Sequence, residues 1–147
     1  MLQRTAISFA QAQAAMNAML KKATQPPATP VAIAIVDDTG NLVAYAQMDN
    51  LRLFSRRHAI RKAYTAAITG RNSGDHAEWL KSRGLTVGEL GGDSNLTPAY
   101  GGVVVRAGQH ANSDFHLNVM GGIGVGGYPS GQLDEDLALI GLRAMNL

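Results

Sequence analysis

Val31-Ala32-Ile33-Ala34-Ile35-Val36-Asp37-Asp38, followed by Thr39-Gly40-Asn41 and then Leu42-Val43-Ala44-Tyr45-Ala46-Gln47-Met48, is the stretch on which the fold turns. The first run alternates large with small apolar residues and reads as a buried strand. Thr39-Gly40-Asn41 supplies turn chemistry, and the second run reads as the returning strand. An antiparallel hairpin is therefore the seed of the fold.

Working outward toward the N-terminus, Thr24-Gln25-Pro26-Pro27-Ala28-Thr29-Pro30 is a stiff connector, because prolines remove amide donors and clash with a preceding helical turn. Before it, Ser8-Phe9-Ala10-Gln11 fits a capping box, with Ser8 as N-cap and Gln11 at N3, and opens a helix to about Lys22. Ala12, Ala15, Met16, Met19 and Leu20 supply its apolar stripe.

On the other side of the hairpin, Ser55 to about Thr69 is helical, with Ala59, Ala63, Ala66 and Ala67 on one small-residue face and Gly70 as the stop. Such a face lets another backbone approach closely. Ser73 to Arg83 reads as a short polar helix capped by Ser73 and ended by Gly84, and His76 within it is expected to be exposed. Leu85 to Tyr100, rich in Gly, Asp, Asn and Pro, reads as a long irregular segment, a kind of loop that is usually functional or mobile. Gly102 to Ala107 and Phe115 to Val125 read as two strands around Gly108 to Asp114. Ser130 then caps a closing helix with Asp134, Glu135 and Asp136 in its first turn, and Leu137 to Met145 as its body. There is no regular βαβ alternation. The expectation is an α/β chain of the α+β type, one domain over residues 1–147, with an antiparallel sheet flanked by helices.

Composition narrows the chemistry. A charge of +2 from 13 basic and 11 acidic residues is too balanced for nucleic-acid binding through counterion release. With 0 Cys there is no thiolate nucleophile, disulfide framework or Cys-ligated metal site. No stretch approaches the length of an apolar membrane span, and the N-terminus lacks the apolar core of a signal peptide, so a cytoplasmic protein without membrane partners is the simplest expectation.

With these elements in place, Val36-Asp37, Gly40-Asn41-Leu42-Val43, Met48-Asp49, Ser55, Ala59, Lys62-Ala63 and Thr65-Ala66 resemble the first half of the GlcG/HbpS-like family, which includes the C-terminal domain of PduO proteins. Gly101-Gly102-Val103, Gly121-Gly122-Ile123-Gly124-Val125 and Asp134-Glu135 with Ala138 resemble its second half. The resemblance implies a profilin-like antiparallel sheet, assembly into a homo-oligomer, and haem as a cofactor or ligand. The chain departs from the family pattern at Val104, where Pro is common, and over Gly126 to Leu133. Both departures lie near the presumed ligand end.

Among individual residues, Arg57, His58, Arg61 and Lys62 cluster on one helix, and Arg and Lys donors match carboxylates or haem propionates. Lys62 stands among the small residues, so its stem should lie along that face and its ammonium should need an anion, either Asp49 or a bound ligand. His58, Lys62 and Glu135 are the candidates for proton transfer, with Arg57, Lys62 and Asp49 as ligand contacts. Gly122 and Gly124 could offer backbone amides to an anion, although close packing of strand against helix explains glycines there better. Asp37, Asp38 and Asp49 are read as satisfying hairpin amides. His110, Asp114 and His116 have metal-binding side chains but no established ligand spacing, so no metal site is assigned.

Two functional classes follow. The first is a small-ligand-binding oligomer that takes haem or a similar flat anionic molecule between the Ser55 to Thr69 helix and the second hairpin. The alternative is a cofactor-free lyase or hydrolase acting on a small aromatic or carboxylated substrate.

Overall fold

A computed structural model describes residues 5–90, 92–108 and 118–147. The order of elements is α1 (Phe9–Ala23), β1 (Ala32–Asp37), β2 (Leu42–Gln47), α2 (Leu53–Thr69), α3 (Ser73–Ser82), a 3-10 turn (Val87–Leu90), β3 (Gly102–Arg106), β4 (Val119–Gly126) and α4 (Gly131–Ala144). The strands form one sheet in the order β2-β1-β4-β3, and every neighbouring pair is antiparallel. The expected α+β architecture is the one observed.

The alternation in β1 divides the interior. Ile33 and Ile35 point to one face, where they join Val103, Val105, Ile123 and Val125 and are covered by α1 and α4 through Met19, Leu137 and Ala138. Ala32, Ala34 and Val36 point to the other, beneath Ala59, Ala63 and Ala67 of α2. On that second face β4 presents glycines. A Cβ at Gly124 would stand 2.0 Å from the Ala59 carbonyl oxygen, and one at Gly122 would stand 2.3 Å from that of Ala63. Helix α2 thus lies backbone to backbone on β4, closer than any larger side chain would permit.

Local signals act as expected at several ends. Ser8 and Gln11 form the reciprocal capping box of α1, Gly70 ends α2 in the left-handed conformation, and the Ser130 hydroxyl accepts from the Leu133 amide at the start of α4. Asp37 holds the hairpin turn by accepting from the amides of Thr39 and Asn41.

Two expectations about α3 are corrected. The N-cap is Asn72, not Ser73; the Ser73 hydroxyl instead accepts from the Gly102 amide at 2.8 Å and ties α3 to β3. His76 is buried rather than exposed, at 4% of its accessible surface. Ser73, His76 and Leu80 share one helical face, and all three are buried. A polar composition concealed that inward stripe.

Candidate functional site

The close approach of α2 to β4 carries the Lys62 stem into the protein, where the residue keeps only 4% of its accessible surface. Its Nζ donates to the Val125 carbonyl oxygen at 2.9 Å and to Asp134 Oδ2 at 2.9 Å. Asp134 Oδ1 accepts from the Tyr128 amide at 3.1 Å. Burial pushes the Asp134 carboxyl upward, and Lys62 together with the Tyr128 amide pulls it back. The anionic partner of Lys62 among the described residues is therefore Asp134, not Asp49.

Room for this pair depends on Gly101, which has φ +123°; a Cβ there would come within 2.9 Å of both the Lys62 Nζ and the Asp134 Cβ. Its neighbour Gly102 lies against the Lys62 carbonyl, where a Cβ would stand at 2.2 Å.

Beside the pair opens a cavity of about 540 Å³, bounded by the first half of α2, the Pro98–Tyr100 segment and the chain from Gly126 to Gln132. His58 lines it one helical turn before Lys62. The imidazole Nε2 stands 3.0 Å from Thr97 Oγ1, and the Phe54 ring meets it edge-on at 4.6 Å. Thr97 is itself fixed, its amide donating to Thr65 Oγ1 at 2.9 Å. Burial, followed by the charges of Lys62 and Arg61, lowers the His58 pKa to about 4. At neutral pH the ring is uncharged. In that form one ring nitrogen carries a lone pair that can accept a hydrogen bond or bind a metal.

Of the residues singled out from sequence, His58 and Lys62 meet at this cavity. Arg57, Asp49, Glu135, Gly122 and Gly124 do not line it. Arg57 and Asp49 are exposed. Glu135 accepts from Gln132 Nε2 at 3.2 Å, and burial raises its carboxyl, with Asp75 and Asp136 adding to the effect. Gly122 and Gly124 are buried against α2, which makes them packing residues. His110, Asp114 and His116 lie outside the described residues.

Sequence reasoning missed the roles of Asp134, Thr97 and Tyr128. Asp134 was explained by its place in the first turn of α4, which accounts for a carboxylate there without a distant lysine. Tyr128 carried the one available signal, since it falls in the segment that departs from the family pattern.

A sequence model of the family described as haem degrading protein HbpS-like matches residues 7–143. The fold is similar to that of a double mutant of Streptomyces reticuli HbpS, with a TM-score of 0.81 and 28% identity over 97% of this chain and 89% of that one. It is also similar to Klebsiella pneumoniae protein ORFY, with a TM-score of 0.79 and 25% identity over 99% of this chain and 94% of that one. A structure described as a PduOC:heme complex shares the fold, with a TM-score of 0.77 and 24% identity over 97% and 96% of the two chains. No curated protein matches the chain in sequence. No helix among the described residues is long and apolar enough to cross a membrane.

Proposed function

The chain belongs to the haem degrading protein HbpS-like family, and from that premise we propose that it is a homo-oligomeric small-ligand-binding protein whose ligand is haem or a similar flat anionic molecule. The observation that carries this reading is the uncharged His58 at the wall of a cavity of about 540 Å³. Donor chemistry fits haem. His58 would offer a neutral nitrogen to the iron, Phe54, Tyr100 and Tyr128 would offer ring surfaces to the macrocycle, and Arg52 at the cavity wall would meet propionates. Bound haem would supply iron redox chemistry. The chain's own contribution is to keep the imidazole uncharged by burial and by the neighbouring cations, and to orient it through Thr97.

The same imidazole argues against His58 as the base of a cofactor-free enzyme. A base with a pKa of about 4 holds its proton too weakly to drive abstraction efficiently at neutral pH. Titration with hemin tests the proposal: a saturable Soret change is expected in the wild type, with weakened binding and an altered band in His58→Ala. A wild type that shows no saturable Soret change overturns the haem reading, and an identical band and affinity in the variant removes His58 from it.

A further inference from the structure

A second cavity, of about 760 Å³, lies at the opposite end of α2, between the α2–α3 turn, β3 and the last turns of α4. Its composition differs from that of the His58 cavity. Arg71, Arg106 and Arg143 converge on it from three separate elements, and Val103, Leu139 and Leu142 give it an apolar wall. Arg106 is anchored, donating to the Gly70 carbonyl that ends α2. Arg71 stacks its guanidinium over the Trp79 ring at 4.7 Å. Asp75 also lines the cavity, but it sits in the first turn of α3, where the helix dipole offsets its charge. Among the described lining residues, three guanidinium side chains stand beside one carboxylate side chain, that of Asp75.

We propose that this cavity is a binding site for an amphipathic carboxylate, a molecule with one anionic head and an apolar body. The guanidinium groups receive the head, because their paired N–H donors match carboxylate oxygens. The apolar wall receives the body, whose transfer out of water adds to the affinity. Neither half of the lining accounts for the other: a simple inorganic anion would leave the leucines and valine unused, and a neutral hydrocarbon would face three charges. The site is independent of the His58 cavity, with which it shares no lining residue.

Trp79 is the single tryptophan of the chain, so its fluorescence reports on the ring beneath Arg71. Titration with octanoate, with octanol as the uncharged isostere and acetate as the anion without a body, tests the proposal, and calorimetry run in parallel detects binding to which Trp79 is silent. Octanoate is expected to bind saturably, and octanol and acetate at least about tenfold more weakly. Arg143→Gln, an exposed position on α4, should weaken octanoate by about tenfold, while His58→Ala should leave it unchanged. The proposal is overturned if calorimetry finds no octanoate binding, if octanol binds as tightly, if Arg143→Gln has no effect, or if His58→Ala abolishes binding.

Discussion

Lys62 Nζ and Asp134 Oδ2 form an ion pair at 2.9 Å, with 6% and 4% of the two side chains exposed. The contact joins α2 to α4 across the end of β4, where the Val125 carbonyl takes a second proton of the ammonium. Both charges have left water, so each depends on the other. Removing one strands its partner in a medium that solvates it poorly.

Lys62→Met keeps most of the stem and removes the charge. It should cost about 3–5 kcal/mol in chemical denaturation, the range for breaking a buried pair from one side. Asp134→Asn in the same background should recover part of that loss, because it removes the stranded carboxylate. Asp49→Asn, at an exposed position, should recover none. Equal recovery by the two variants would contradict the pairing.

Gly124→Ala should destabilise by ~3 kcal/mol or more, or prevent folding. The added methyl would fall 2.0 Å from the Ala59 carbonyl oxygen and 2.5 Å from the Ala63 nitrogen, and both are backbone atoms that cannot step aside. Gly88→Ala is the control. Its nearest neighbour would be the Thr86 hydroxyl at 4.0 Å, so its stability should stay within ~0.5 kcal/mol of wild type. A tolerated Gly124→Ala would mean that α2 can lift off the sheet.

The folded state holds the His58 pKa at about 4, below the ordinary 6.5. Between those values the unfolded chain binds more protons, so stability from this group is present above about 6.5 and is lost as pH falls toward about 4. After allowance for its half-exposed position, the contribution is on the order of 1–2 kcal/mol. His58→Gln should therefore lose less stability than wild type between about pH 7 and about pH 5. His76, whose pKa is lowered by burial and by Arg71, acts in the same direction. It is present in both proteins, so the difference between them reports His58; equal losses would place His58 in water.

Of the two edges of the sheet, β3 is engaged where its Val104 amide donates to the Asn72 side chain. Strand β2 carries Leu42, Val43 and Tyr45 at 51%, 41% and 37% exposure. An apolar edge strand of this kind favours pairing with another chain. If the proposed oligomer forms through it, Val43→Lys should shift sedimentation toward the monomer without loss of folded structure. An unchanged distribution would move the interface elsewhere.

The sequence by itself determined the elements whose signals are local. The alternation of Ile33 and Ile35 with Ala32 and Ala34 specified a strand with one large and one small face. Ser8 with Gln11 specified the start of α1, Gly70 the end of α2, and the alanines of α2 the face that would sit close to a backbone. These patterns repeat with the period of a single helix or strand, so neighbouring residues suffice to read them. Only the tertiary structure decided the partner of Lys62, which lies 72 residues away. The periodicity of α2 demanded an anion, but Asp49, Asp134 or a ligand could each have met that demand on electrostatic grounds. It likewise decided that His76 is buried, that Gly101 leaves room for an ion pair, and that Arg57 is exposed and does not line the cavity that His58 lines. Each of these outcomes depends on which surfaces meet across the sheet, and the free energy of such meetings comes from residues far apart in the chain whose spacing carries no period.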